Sequence, residues 1–195
     1  MRRVEMIPRE NIGLFGGSFD PVHHGHLILA REAMERLRLN RVVFIPANVS
    51  PHKLGRPPAP AGLRLEMLEA AVAGEAGFAV DACELGRGGP SFAIDTVREF
   101  RRRFPEAGIF YFIGEDNLAA LHTWKDIGEL RSLAQFVVLA RGSVGDPQGL
   151  PVVSRNVDIS STDIRKRVAD GLSVRYLLPH SSMEIIERHR LYRNG

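Results

Sequence analysis

Apolar, β-prone runs recur along the chain at residues 12–15, 42–45, 78–82, 109–113 and 136–139. Each gives way to a polar loop or to apolar positions at helical spacing. Leu27, Ala30, Met34 and Leu37 follow the first run, Leu65, Leu68 and Val72 the second, and Ile94, Val97 and Phe104 the third. That spacing lays a stripe along one helix face. Strands that are apolar throughout, without alternation, are buried on both sides, as in parallel sheets covered by helices. The pattern therefore predicts an α/β fold, a Rossmann-like doubly wound parallel sheet with right-handed crossovers. From Ser161 the chain turns helical over 161–169, passes Tyr176-Leu177-Leu178-Pro179, and ends in a helix running through Ile185 to Leu191. A single domain over 1–195 is expected, with its core at about 11–160 and a small C-terminal helical piece at about 161–195.

Ligands on such sheets collect at the carboxyl ends of the strands, where strand order reverses. The loops after each run are therefore where chemistry should be sought. Residues 47–62 are rich in proline, and 142–151 hold three glycines and two prolines. Both stretches follow predicted strands, so both are placed to reach over a site at that edge.

Composition narrows the class. The chain of 195 residues is 44% hydrophobic and 25% charged, ordinary for a folded domain, and no apolar run approaches a membrane span. Near the start, Glu5, Pro8 and Glu10 interrupt what a signal peptide would need as a continuous apolar stretch. Cys83 is the only cysteine, which excludes an internal disulfide and a cysteine-based zinc site and fits a reducing, cytoplasmic setting. The formal charge of +3 raises the question of nucleic acid. Yet the densest basic run, Arg101-Arg102-Arg103, falls on a predicted helix without interleaved aromatics and reads as a solvated face. Small anionic substrates suit the same surplus of charge. Neither a nucleic acid nor a membrane is expected as partner.

The richest segment leaves the first strand and enters the first helix: Gly16-Gly17-Ser18-Phe19-Asp20-Pro21-Val22-His23-His24-Gly25-His26-Leu27. Gly16 and Gly17 let the backbone come close to a ligand, and the helix that follows offers free N–H groups and a partial positive charge to an anion. His23 and His26, three apart about Gly25, suit hydrogen bonds to phosphate oxygens. Metal binding is the rival use of a histidine pair, although no third soft ligand stands nearby.

Residues 16–27 resemble the signature of the nucleotidyltransferase superfamily, whose HxGH motif matches His23, Gly25 and His26. A second superfamily motif, ISSTxIR, is matched by Ile159-Ser160-Ser161-Thr162-Asp163-Ile164-Arg165. Ser161 and Thr162 stand where a helix should start, and Arg165 adds a permanent charge one turn later. A plain helix cap with a surface arginine is the other reading of that segment. Over roughly residues 11 to 192 the chain is similar to bacterial nicotinate-nucleotide adenylyltransferases. The matching pieces are Ile45-Pro46-Ala47-Asn48 with Pro51-His52-Lys53, Arg64-Leu65-Glu66-Met67-Leu68, residues 89–96 against a GPSYTxDT segment, and Gly114-Glu115-Asp116-Asn117-Leu118 with Trp124-Lys125. Tyr176-Leu177-Leu178-Pro179 and Leu191-Tyr192 fit the family's helical end.

The resemblance implies transfer of AMP from ATP, with magnesium, to the phosphate of nicotinate mononucleotide. It assigns catalysis to His23, His26 and Arg165. ATP contacts are expected from Gly16, Gly17, Ser18, Phe19, His23, Gly25, His26, Gly114, Asp116, Ser161, Thr162 and Arg165. The mononucleotide is expected at Asp20, Lys53, Ala93, Thr96, Trp124, Lys125 and Arg141. Trp124 offers a face to stack on the pyridine, or packs in the core; the backbone at Ala93 and Lys125 would donate to the ring carboxylate. Asp116 suits a ribose hydroxyl or a helix cap, and Lys53 a substrate phosphate or open solvent. No protein cage is expected for the magnesium, which phosphates and water would hold. Two departures stand out. Phe92 and Ala93 replace the family's Tyr and Thr, removing two hydroxyls near the expected carboxylate, and Gly142 follows Arg141 where proline is usual. The alternatives are an adenylyltransferase acting on nicotinamide mononucleotide or phosphopantetheine, and a non-catalytic nucleotide-binding module of the same fold.

Overall fold

The computed structural model describes residues 10–49 and 57–193. Six strands form one sheet: β1 (Asn11–Gly17), β2 (Arg41–Pro46), β3 (Phe78–Val80), β4 (Gly108–Gly114), β5 (Gln135–Ala140) and β6 (Val152–Ser154). All neighbours run parallel, in the order β3-β2-β1-β4-β5-β6. This is the doubly wound order, in which the chain reverses direction between β1 and β4 and opens a crevice beyond their carboxyl ends.

Seven helices cover the sheet: α1 (His24–Arg36), α2 (Ala61–Val72), α3 (Cys83–Arg87), α4 (Ala93–Arg103), α5 (Ile127–Leu133), α6 (Ser161–Ala169) and α7 (His180–Arg188). Alternate residues of the strands feed two cores. Phe15, Phe44, Phe112 and Leu139 face one side, where Leu29 and Ala33 of α1, Met67 and Leu68 of α2, Ile164 of α6 and Ile185 of α7 bury them. Leu14, Ile45, Ile113 and Val138 face the other, against Ile94, Val97 and Phe100 of α4 and Leu130 of α5. Burial on both faces is what the uninterrupted apolar runs required. The C-terminal helices are part of the first layer, not an appendage to it.

The differences from expectation are local. The third strand stops at Val80, and the chain turns into α3 with Asp81 Oδ1 accepting from the backbone N–H of Cys83 at 3.0 Å. Helices α3 and α5 carry too few turns to display a stripe, and β6 is three residues long. Residues 142–151 form no cover over the crevice: Val144 and Leu150 pack on the second core, and Gln148 Nε2 donates to the carbonyl of Leu118 at 3.2 Å. The middle of the proline-rich 47–62 stretch, including Lys53, lies outside the described residues.

Candidate functional site

Two cavities meet at the crevice between β1 and β4. The larger, about 540 Å³, is lined by Gly16 to Asp20, His23, Gly25, His26, Gly114 to Asn117, Arg141, and Ser160 to Thr162 with Arg165. The smaller, about 130 Å³, continues from Gly16, Gly17, Gly114 and Asn117 towards Ser91, Phe92, Ala93, Tyr111, Trp124 and Lys125. Shared walls make them one cleft, and the two motifs, some 140 positions apart in sequence, touch each other in its lining.

The histidines are held by the entry to α1. Their rings stack with centroids 3.7 Å apart. His26 Nδ1 accepts the backbone N–H of His23 at 3.2 Å. A neutral imidazole that accepts at Nδ1 carries its proton on Nε2, which places the donor of His26 on that nitrogen. His23 is 2% exposed, and burial, helped by Arg141 and His24, pushes its pKa down to about 3. It is neutral at any physiological pH, and its Nδ1 finds no hydrogen-bond partner among the described residues. Gly25 makes the pair possible, since a Cβ there would stand 3.0 Å from the His23 ring.

At the second motif α6 begins at Ser161, where the sequence predicts it, and the cap is Ser160, whose Oγ accepts from the N–H of Asp163 at 3.1 Å. Ser161 spends its hydroxyl on the carbonyl of Pro21 at 2.9 Å, leaving the first-turn N–H groups of Ser161 and Thr162 without intrahelical partners. Arg165 donates to the carbonyl of Asp20 at 2.7 Å and to Thr162 Oγ1 at 3.2 Å. The cap therefore does not use up the first-turn donors of α6. Arg141, expected beside the mononucleotide, lines the larger cavity and donates to the carbonyl of Ile159 at 2.8 Å.

In the smaller cavity Trp124 stands edge-on to Tyr111 and Phe136, with centroids 6.0 and 6.3 Å away. It is half-buried and lines the cavity, so packing and ligand contact are compatible. Ala93 is the first residue of α4, where a backbone N–H has no helical acceptor. Asp116 lies inside a short 3₁₀ turn, Glu115–Asn117, capped by Gly114, so it is not itself the cap. Its Oδ1 accepts from Asn117 Nδ2 at 3.1 Å. Two expected contacts are engaged elsewhere. Thr96 is fully buried and lines neither cavity; its hydroxyl donates to Glu84 Oε1 at 2.6 Å. Asp20 borders the larger cavity, but its Oδ1 takes the N–H of Ala59 at 3.1 Å and the Tyr192 hydroxyl at 2.7 Å.

Residues 14–167 match the cytidylyltransferase-like family model. A Thermus thermophilus protein named probable nicotinate-nucleotide adenylyltransferase is 47% identical, over 93% of this chain and 99% of its own length. A Thermomicrobium roseum protein of the same name is 38% identical over 93% and 91%. The chain belongs to the nicotinate-nucleotide adenylyltransferase family. Among solved structures, Plasmodium falciparum nicotinic acid mononucleotide adenylyltransferase complexed with APC superposes with a TM-score of 0.78 at 15% identity, covering 94% of this chain and 98% of that one. At that identity the likeness concerns the fold.

Within this member of the nicotinate-nucleotide adenylyltransferase family, the structure adds residues that motif reading passed over. Glu84 lines the smaller cavity, 4% exposed. Burial raises its pKa against the opposing effect of hydrogen bonds from Thr96 and Ser91. Nothing in its sequence setting marks it, since an acid in the first turn of a short helix is ordinary. Tyr111 sits in an apolar strand run, yet its hydroxyl reaches the cavity beside Gly16, where a Cβ would come within 2.9 Å of it. Arg64 is 1% exposed and donates to the carbonyls of Ser18 and Ala47 at 2.8 Å and of Ala59 at 3.0 Å. It ties the β1–α1 loop to both ends of the β2–α2 connection beside the cleft. No helix among the described residues is long and apolar enough to cross a membrane.

Proposed function

We propose that this protein transfers the AMP moiety of ATP to the phosphate of nicotinate mononucleotide, giving nicotinate adenine dinucleotide and pyrophosphate in the biosynthesis of NAD. The observation that carries this reading is the continuity of the two cavities. A phosphate-suited cleft lined by both motifs opens directly into a half-aromatic cavity beside Trp124, as a dinucleotide product requires.

An oxygen of the mononucleotide phosphate attacks the α-phosphorus of ATP in line. The new O–P bond forms as the bond to the bridging α–β oxygen breaks, and that oxygen leaves with pyrophosphate. The nucleophile is already an anion, so no general base is needed; alignment and charge neutralisation are. His26 donates from Nε2, neutral His23 stacks behind it, and Arg165 and the first-turn N–H groups of α6 meet the polyphosphate. The backbone of Gly16 to Phe19 and Gly25 lets the phosphate chain approach, while Gly114 and Asp116 serve the adenosine side. Trp124, with the N–H groups at Ala93 and Lys125, receives the pyridine carboxylate. In this reading Asp20, Thr96 and Arg141 hold the walls. The cleft's donors are imidazole, guanidinium and N–H, a set that binds phosphate oxygens. No group of three or more candidate metal ligands occurs among the described residues. Magnesium would be held by the polyphosphate and water, where it would neutralise charge.

Pyrophosphate release from ATP and magnesium, measured with nicotinate mononucleotide, nicotinamide mononucleotide and phosphopantetheine in turn, tests the assignment. The acid mononucleotide should give the highest kcat/KM, and His26→Ala should lower turnover by about 10²-fold or more. A higher kcat/KM with another acceptor would overturn the substrate assignment. Full turnover in folded His26→Ala would remove the histidine from the mechanism.

A further inference from the structure

Among the described residues lining the smaller cavity, Lys125 is the only cation and Glu84 the only anion. The Lys125 ammonium stands 4.7 Å from the centre of the Phe92 ring and 3.4 Å from Asp95 Oδ2. The ring offers its face to the cation. Asp95 does not depend on this contact, because Arg98 Nη1 lies 3.5 Å from its other oxygen. The neighbouring cations are committed. Arg98 donates to Glu129 and Asp126 at 2.8 and 3.2 Å, and Arg87 to Glu99 at 2.8 Å. Lys125, with its side chain 44% exposed, is held loosely.

A carboxylate entering this cavity comes beside a buried acid. Glu84 already receives the hydroxyls of Thr96 and Ser91, so in its ionised form it offers the newcomer repulsion and no donor. A neutral carboxamide does not meet that penalty. Selection for the acid therefore calls for a mobile cation at the cavity wall, and Lys125 is the residue that meets the requirement.

We propose that the Lys125 ammonium distinguishes a pyridine carboxylate from a pyridine carboxamide, passing from Asp95 to the ligand carboxylate when the ring occupies the cavity. The proposal rests on the reading of the cleft as a pyridine mononucleotide site. Lys125 does not touch the reacting phosphorus, so its contribution falls on KM and on the acid-to-amide ratio more than on kcat.

The test compares kcat/KM for nicotinate and nicotinamide mononucleotides in the parent, Lys125→Met and Lys125→Arg. The methionine keeps an apolar stem over Phe92 and removes the charge. The acid-to-amide ratio should fall about 10-fold in Lys125→Met, the scale of one hydrogen bond to a charged group after solvent screening. Lys125→Arg should restore most of it. Added salt should lower the ratio in the parent and leave Lys125→Met nearly unmoved. An unchanged ratio in Lys125→Met, or equal losses for both nucleotides, overturns the proposal. If the parent turns over neither nucleotide, the catalytic reading fails and the charge argument is still decided by binding. Trp124 is the only tryptophan, and quenching of its fluorescence gives the affinity of each nucleotide for parent and Lys125→Met. Quenching by neither nucleotide in the parent overturns both readings.

Discussion

At the scale of single residues, the two motif histidines divide their work by burial. His23 has a pKa lowered from 6.5 to about 3, so the folded protein holds it neutral while the unfolded chain takes up a proton below about pH 6.5. A group depressed in this way favours the fold fully above its unfolded pKa and loses that contribution as pH falls towards its folded pKa. Between about pH 6 and 4, stability should therefore drop by up to about 1.4 kcal/mol per pH unit from this residue. Urea unfolding of the parent and of His23→Gln at pH 7.5, 6 and 5 measures it. The variant should show a shallower pH dependence by about one proton, and parallel curves would mean that His23 is no more buried than an ordinary surface histidine. Motif spacing predicted that these residues would face one cavity, which they line together. It did not show which of them carries the donor, because that depends on the His26 Nδ1 contact with the backbone of His23. Glu84 and Tyr111 were illegible for a related reason: their polar atoms matter only through the cavity that α3 and β4 jointly wall.

At the scale of elements, five strands and the helices with long stripes could be read from the sequence, while β6, α3 and α5 were too short to carry a period. The predicted face of α2 was turned by its arginine. Leu65, Leu68 and Val72 were expected inside, whereas the buried positions are Arg64, Met67, Leu68 and Val72. An arginine enters an apolar face only where acceptors await it, and here they are carbonyls of the β1–α1 loop and of both ends of the β2–α2 connection. The β1–α1 loop is also fastened from the C-terminal part of the chain. Tyr192 donates to Asp20 Oδ1, Arg165 to the Asp20 carbonyl, Ser161 to the Pro21 carbonyl, and the Leu177 carbonyl accepts the N–H of His24. Tyr192→Phe deletes one hydroxyl from this clamp. It should cost about 1.5 to 3 kcal/mol of stability, the range for a hydrogen bond to a charged group, and lower kcat through the loosened 18–21 loop. Denaturation midpoints and steady-state rates read the two effects separately. Parent-like values in both would show that the hydroxyl fastens nothing.

For the whole molecule, the cleft straddles the reversal of strand order, so a ligand that fills it touches both halves of the sheet at once. One wall comes from β1 and the start of α1. Further lining of the cleft comes from the turn after β4, from Arg141 after β5, and from the start of α6. Sequence reading located these loops, and the parallel topology explains why segments distant along the chain meet. A ligand bound only by the folded state stabilises it in proportion to RT ln(1 + [L]/Kd), about 2.7 kcal/mol at 100-fold excess over Kd. For a domain of this length that is roughly 5 to 10 °C in thermal midpoint. Nicotinate adenine dinucleotide joins both occupants in one molecule and loses the freedom of one body, not two. At equal concentrations it should therefore raise the midpoint more than a mixture of AMP and nicotinate mononucleotide. Trp124→Ala should shrink the dinucleotide's advantage, because the pyridine end then loses its stacking face, worth roughly 1 to 3 kcal/mol by analogy with bases on aromatic side chains. Differential scanning fluorimetry at matched ligand concentrations makes the comparison. Equal shifts from the dinucleotide and the mixture would mean that the two cavities are not filled together, and the continuity on which the reaction depends would fail with them.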